Sequence, residues 1–382
     1  MNGEGLTKIQ AALLMFLVVA AAIAASLIIT GCFKPQQDGV ASNYVVDVVG
    51  RRVRLPENVS RVVAIGPGVL RLVCYLNAVD MLVGVEQSEV NWGFIGRDYA
   101  MAYGELFSKL PVIGPGGPGK PPAPELILSV KPDLIVMSRT YCDFYDPDRL
   151  QSETKSTVIV VDYGPAGQLD VVGIKNALRL LGEALNRRER AEELISFIER
   201  VYDDLNQRTK NVASRPKVYV GAVSYKGAQP FTTTQTPFPP LALLNTPSIA
   251  DKYSNVTGAF FWDFEAIIAE DPDFIFIDEG NLATVKQDFD KDPNKYMQLR
   301  AFREGKIYGT LPYNYYHTNI AVAIANAYYI GKVLYPDKFS DVDPKAKADE
   351  IFSVFLGKPL YQEYAEAYGG FKCLSEIFEA PR

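Results

Sequence analysis

The sequence predicts an α/β protein of two lobes, each a mainly parallel sheet with crossover helices, joined by one long rigid helix. Three observations predict it. Short apolar runs alternate with helical stretches twice along the chain, first from Arg61 and again from Lys217. One helix–strand unit recurs: Glu125-Leu-Ile-Leu-Ser-Val-Lys-Pro-Asp133-Leu-Ile-Val-Met resembles Glu265-Ala-Ile-Ile-Ala-Glu-Asp-Pro-Asp273-Phe-Ile-Phe-Ile, with the glutamate, the Pro-Asp pair and the apolar run at one constant offset. A long amphipathic stretch separates the two halves.

Each element follows from its residues. Tyr44–Val49 and Arg52–Leu55 read as a hairpin around Gly50. Arg61-Val-Val-Ala-Ile-Gly66 is a buried-strand pattern, followed by a helix to about Leu76. Leu82–Val85, Pro111–Gly114, Leu134–Met137 and Val158–Val161 are the next strands of a Rossmann-like N-terminal lobe. Lys217–Val223 restarts the pattern in the second half. Pro132 and Pro272 end short helices, because a proline lacks the N–H that a helix interior needs. Between the lobes, Asn186 reads as a helix N-cap. Ala191, Leu194, Ile198, Val201 and Leu205 then form a stripe at alternating three- and four-residue spacing. From Arg187 to Lys210 such a helix is roughly 35 Å long. It predicts a strut rather than a flexible hinge, and little closing motion. Helix–Pro-Asp–strand is also a common α/β connection, so the single repeat suggests duplication without proving it.

The first residues read as an address. Lys8 precedes an apolar run from Ala11 to Ile29, broken only by Ser26 and long enough to span a bilayer. It ends in Ile29-Thr-Gly-Cys32, which resembles a lipobox whose cysteine becomes lipidated. The alternative is a retained signal anchor. Either places the remainder outside the cytoplasm. The expected organisation is a leader at 1–31, a flexible tether at 32–43, the N-terminal lobe at 44–186, the interlobe helix at 187–212 and the C-terminal lobe at 213–382.

Composition narrows the function. The net charge is −6 and the pI about 5.2, so no basic surface for nucleic acid is implied. The one histidine, His317, excludes a metal centre built on several imidazoles. A Ser-His-Asp triad would have to use His317, and no G-x-S-x-G accompanies it. The four cysteines contain no C-x-x-C. Cys74 lies in an apolar helical run and reads as core, and Cys142 and Cys373 are free to pair in an oxidising compartment.

Several motifs carry a family resemblance across roughly residues 44–370. They are Asp47-Val-Val-Gly-Arg-Arg-Val-Arg-Leu-Pro56, Arg61-Val-Val-Ala-Ile-Gly-Pro67, and Leu110-Pro-Val-Ile-Gly114 followed by Pro124-Glu125 and Lys131-Pro-Asp-Leu-Ile-Val136. In the tail they are Leu311-Pro-Tyr-Asn-Tyr-Tyr-His-Thr-Asn319 and Tyr328-Tyr-Ile-Gly-Lys-Val-Leu-Tyr-Pro336. In order and spacing these resemble the class III solute-binding proteins of ABC importers, the group that binds ferric siderophores, haem and cobalamin. The resemblance implies two Rossmann-like lobes with a ligand cleft between them. It implies a monomer without a cofactor of its own and without catalysis, which delivers a metal complex to an ABC permease and its ATPase. An iron complex of the siderophore kind is the expected ligand, with cobalamin or haem as alternatives. A chelatase-like enzyme or a ligand-presenting sensor would use the same scaffold. Two departures stand out. The first cleft loop, Gly66-Pro-Gly-Val-Leu-Arg71, has a base where the family often has an acid. Of the glutamates with which family members commonly dock on permease arginines, Glu105 is an N-lobe candidate, and the C-lobe segment offers only Asp251.

Ligands of open α/β sheets bind beyond the carboxyl ends of the strands. The site candidates are therefore strand-end loops: Gly66–Arg71, Glu86–Arg97, Gly114–Pro124 and Arg139–Asp146, opposite Tyr225–Thr236, Phe260–Asp263, Asp278–Asn281 and Tyr313–His317. Pro67 and Gly68 open the first. Arg71, Arg97 and Arg139 suit an anionic chelate, since guanidinium forks onto carboxylate or phosphate. Each would otherwise cap a helix or pair with an acid such as Glu86 or Asp143. Trp92, Tyr141, Phe231, Phe261, Trp262, Tyr315 and Tyr316 suit a flat or bulky chelator, or else pack the lobe edges. Lys226 adds a cation. Tyr313, Tyr315 and His317 alternate, so an extended loop would put them on one face as candidate iron ligands, with Asp263 or Glu279 completing the set. His317 otherwise reads as a residue of the helix N-terminus before Thr318–Tyr335.

Overall fold

The computed structural model describes residues 43–254 and 257–379. The leader, Cys32 and most of the tether lie outside the described residues. In chain order the helices that matter below are α1 (Val69–Tyr75), α2 (Asp98–Phe107), α3 (Pro124–Ser129), α4 (Val171–Ala184), α5 (Arg188–Thr209), α6 (Phe264–Glu270), α7 (Ile320–Leu334) and α8 (Pro344–Leu356). Among the described residues, no helix is long and apolar enough to cross a membrane.

The hairpin forms as β1 (Tyr44–Val46) and β2 (Arg52–Arg54), with Val45 opposite Val53. The Asp47 carboxylate closes its turn by accepting the amide of Arg51 at 2.9 Å. In the N-lobe, β3 (Val62–Ile65), β4 (Leu134–Ser138) and β5 (Thr157–Val161) run parallel in the order β3-β4-β5. Nearly every residue of these strands is buried, as expected of a parallel sheet whose faces are both covered. Leu82–Val85 and Pro111–Gly114 were expected as further full strands, and they are not. Val83 donates to the Val62 carbonyl and Val85 to the Pro111 carbonyl. The segment's bonds are thus divided between two neighbours, leaving single bridges from Val62 to Leu82 and from Val85 to Val112.

The C-lobe repeats the plan with β6 (Val218–Gly221), β9 (Phe274–Asp278) and β10 (Ile307–Thr310), parallel in the order β10-β9-β6. An antiparallel ribbon, β7 (Thr233–Thr236) with β8 (Gly258–Phe261), takes residues expected in cleft loops. The sequence repeat is a structural one. Helix α3 feeds β4 and α6 feeds β9, and before each proline the chain turns through a left-handed residue, Lys131 (φ 46°) and Asp271 (φ 43°). The amide of Asp133 donates to the Arg61 carbonyl and that of Asp273 to the Lys217 carbonyl, both at 2.8 Å. Their carboxylates accept the Arg61 and Lys217 amides at 2.9 and 2.8 Å. Each Pro-Asp pair therefore registers the start of one strand against its neighbour.

All five residues of the predicted stripe on α5 are buried. Asn186 is not its N-cap. Asn186 stands at φ 54°, its amide donating to the Glu183 carbonyl while the Arg187 amide donates to Gly182. This is the paired closure that ends a helix, so Asn186 terminates α4 and α5 begins after Arg187. One cluster of buried side chains runs from α1 through α4 and α5 to α7 and α8. Tyr75 and Phe355 meet at 4.7 Å within it. A second cluster, rich in phenylalanine and tyrosine, fills the other face of the C-lobe sheet. Cys74, Cys142 and Cys373 are free thiols, the first buried and the last exposed. Cys373 sits at the edge of the C-lobe sheet, bridged to Tyr308 and directed at the Gly305 carbonyl, so it does not pair with Cys142 of the N-lobe.

Candidate functional site

The strand ends of the two lobes enclose a cavity of about 850 Å³. Three of its sides come from predicted loops: Pro67, Trp92, Pro118 and Thr140 from the N-lobe, Tyr225, Lys226, Gly280 and Asn281 from the C-lobe, and Asn314 to His317 from the loop before α7. Other lining residues lie outside those loops, Ser224, Thr284 and Pro312 next to them and two groups further away. Asp162 and Gly164 to Ala166 line it from the end of β5, and Tyr368 from the C-terminal helix. The first was readable, since Val158–Val161 was recognised as a strand and its outgoing loop obeys the same rule. Nothing local marks Tyr368, which arrives only through the packing of the C-terminal helices.

The loop before α7 forms the centre of the wall. Its neck is closed by the Asn319 amide donating to the Tyr313 carbonyl at 2.7 Å and by a bridge between Asn314 and Thr318. At its tip Tyr316 and His317 are both left-handed, at φ 53° and 86°. That turn defeats the expected alternation. Tyr315, Tyr316 and His317 all face the cavity, while Tyr313 is buried beneath it, its hydroxyl donating to the Gly167 carbonyl at 3.0 Å. Tyr313, Tyr315 and His317 therefore do not share one ligating face, and among the described residues no group of three His, Cys, Asp or Glu is placed to hold a metal ion.

The walls are aromatic and close to neutral. The Tyr315 hydroxyl donates to the Trp92 carbonyl at 3.1 Å, and Trp92 meets the Tyr316 ring edge-on at 4.9 Å. His317 lies 4.2 Å from the Tyr163 ring and is only 8% exposed. Burial, helped by the nearby Arg71 charge, lowers its pKa to about 3, so the imidazole is neutral, and its Nδ1 has no partner. Gly68, at φ 82°, permits this approach: a Cβ there would stand 2.8 Å from that of His317. Among the described residues, Lys226 and Asp162 are the charged side chains that line the cavity.

The three arginines are elsewhere. Arg71 is fully buried and bonded to Asp98, Tyr163 and Asn319. Arg97 is likewise buried, paired with Glu89 at 2.5 Å. Arg139 pairs with Asp143 on the surface. None lines the cavity: Arg71 and Arg97 are held by buried acids behind the wall and Arg139 by a surface carboxylate. Glu86 lies behind the wall, accepting the Gly66 amide at 2.8 Å and the hydroxyls of Tyr141 and Tyr316 at 2.9 and 3.3 Å. Burial raises its pKa to about 7 against the pull of these donors. Glu279 faces away from the cavity, accepts the Gly370 amide at 3.0 Å, and is raised to about 8 by burial. Phe231 is at the heart of the C-lobe aromatic cluster. Trp262 packs on Tyr219 and Tyr253, and Asp263 caps α6 through the Glu265 amide. Phe261, at the end of β8, is exposed but outside the cavity. Glu105 is exposed on α2 beside a groove with Lys109 and Lys358, and Asp251 accepts the Ser248 amide in a capping box.

The family model described as periplasmic binding protein matches residues 62–313. Solved structures share the fold. An ABC transporter solute binding protein from Sulfurospirillum deleyianum is 22% identical, with 86% of this chain and 99% of that one covered and a TM-score of 0.63. The molybdate periplasmic binding protein MolA of Haemophilus influenzae is 18% identical over 83% of this chain and 98% of its own, also at 0.63. The TroA-like periplasmic binding protein FepB from Veillonella parvula is 20% identical over 82% and 96%, at 0.62. No curated protein matches the chain by sequence.

Proposed function

The chain belongs to the periplasmic binding protein family, and from that premise we propose that it captures an organic metal chelate, of the ferric siderophore class, outside the cytoplasm and delivers it to an ABC permease. In this reading Cys32 is the lipidated first residue of the mature protein, and Glu105 belongs to the permease-facing surface. The observation that carries the ligand class is the cavity itself. Its 850 Å³ falls at the upper end of the range usual for small organic ligands, roughly 300–1,000 Å³, and a bare oxyanion would leave most of it empty. Trp92, Tyr225, Tyr315, Tyr316 and Tyr368 offer flat apolar faces with polar rims, which suits an aromatic chelator. With Lys226 the one cation among the described lining residues, recognition rests on rings rather than on guanidinium forks.

Trp92 is one of two tryptophans and the only one in the cavity, so it reports occupancy. In a Trp262→Phe background, titration with a ferric catecholate should quench Trp92 emission saturably at micromolar concentration or below. Hemin, cyanocobalamin and molybdate are the competing probes. Binding of molybdate with no response to any organic chelate would overturn the proposal, and saturable binding of hemin or cyanocobalamin alone would reassign the chelate.

A further inference from the structure

We propose that Arg71 is a positioning residue for ligand capture: from full burial it clamps the loop of residues 313–319 so that Tyr315, Tyr316 and His317 face the cavity. The inference rests on the binding-protein reading and names a residue that touches no ligand. Arg71 leaves α1 and spends its fork in four directions. Nε donates to Asp98 at 2.9 Å, and Nη1 to the Tyr163 hydroxyl at 2.8 Å. Nη2 donates to the Asn319 side chain at 2.5 Å and to the Tyr315 carbonyl at 3.2 Å. Only the first of these balances charge. The others hold the ring against which His317 packs and both ends of the loop tip.

The loop needs holding. Tyr316 and His317 are consecutive non-glycine residues in the left-handed region, a strained conformation that persists only where the surroundings over-determine it. Asn319 serves as the relay. Its Oδ1 accepts from Arg71 and its Nδ2 donates to the Gly96 carbonyl at 3.0 Å, tying the start of α7 to the N-lobe. A lysine could keep the charge opposite Asp98 but has no planar fork to serve Tyr163, Asn319 and Tyr315 together. A buried ion pair with a purely structural role would be replaceable by a neutral pair of the same shape without consequence for the loop.

The test uses Arg71→Lys and the neutral pair Arg71→Met/Asp98→Asn, each in the Trp262→Phe background. Hydrogen exchange of the amides of residues 315–319 is measured in ligand-free protein, alongside thermal unfolding and ferric catecholate titration. The expected result is exchange at least ten-fold faster in the loop, with the amides of α1 and α4 unchanged. Ligand-free Trp92 emission should shift, and probe affinity should fall at least ten-fold, even where the neutral pair unfolds at the parental temperature. Parental loop exchange in both variants overturns the clamp. So does a neutral pair that regains emission and affinity together with stability, since Arg71 would then be structural alone. If the parent protein binds none of the probes, the ligand reading fails, while loop exchange still decides the role of Arg71.

Discussion

The two lobes back the cavity in different ways. Behind the N-lobe wall lie two buried ion pairs, Arg71 with Asp98 and Arg97 with Glu89, and the Glu86 carboxyl group among three donors. Behind the C-lobe wall Asp278 accepts the amides of Ser224 and Gly280, and the rest is mainly packed hydrocarbon, with Phe231, Phe264, Tyr296 and Phe302 meeting at centroid distances of 5.0–5.9 Å. Hydrogen bonds to charged groups are directional and hold a side chain at one angle, whereas ring packing tolerates adjustment. The loop before α7 emerges from the C-lobe sheet but is fixed by the N-lobe ions. The shape of the loop tip is therefore set from the N-lobe side.

The largest effect should come from breaking that side. Asp98→Ala leaves the Arg71 guanidinium buried without its counter-charge and removes the acceptor of the Tyr75 hydroxyl. Loss of one partner of a buried pair costs about 3–5 kcal/mol. Denaturant unfolding should show a loss of that size, and a loss below about 1 kcal/mol would mean that water reaches Arg71 and that the N-lobe is not organised by buried charge.

Glu86 and Glu279 sharpen the comparison, since burial raises a carboxyl group in each lobe. Both fold with a carboxyl group raised above its ordinary range, to about 7 and about 8. The folded protein then holds a proton that the unfolded chain releases near 4.5. Each acid's contribution to stability is complete below that pH and is lost as pH rises, through about 7 for Glu86 and about 8 for Glu279. The sizes are on the order of 3 kcal/mol for Glu86 and 5 kcal/mol for Glu279. Glu86→Gln and Glu279→Gln should each flatten one part of the stability–pH curve. Only Glu86→Gln should also shift Trp92 emission, because Tyr316, which touches Trp92, hydrogen-bonds to Glu86. An emission shift in the Glu279 variant instead would show that the C-lobe acid also governs the wall.

Much of the fold was legible because periodicity and punctuation are local. The strut stripe from Ala191 to Leu205, the core strands and the Pro-Asp repeat all stand in the sequence and in the structure. The loops around the cavity followed from the strand-end rule, so Pro67, Trp92, Lys226, Tyr315, Tyr316 and His317 are found where they were sought. The arginines mark the limit of such reading. Position at a strand end says that Arg71 is near the cleft, but whether it faces ligand depends on Asp98, Tyr163 and Asn319, which approach from distant parts of the chain. Asn186 failed for a related reason: the same residue type caps one helix or ends another, and only the bonds of Gly182 and Glu183 distinguish them.

The smallest effect tests the repeat at its strictest point. Asp133 accepts the amides of Ser60 and Arg61, and Asp273 accepts the amide of Lys217 and a guanidinium N–H of Arg300 at 2.6 Å. Both carboxylates register a strand start near solvent, where the gain is about 1 kcal/mol. Asp133→Ala and Asp273→Ala should therefore each lower stability by that amount. The Arg300 pair adds little to the second, being partly exposed and screened. Adding about 0.5 M salt should leave the Asp133 loss unchanged and reduce the Asp273 loss only slightly. Losses that differ by more than about 1 kcal/mol would mean that the two Pro-Asp turns share a sequence but not a mechanical role. The lobes would then be alike in outline only, and the contrast between charged and aromatic backing would extend down to the turns at the far end of the strands.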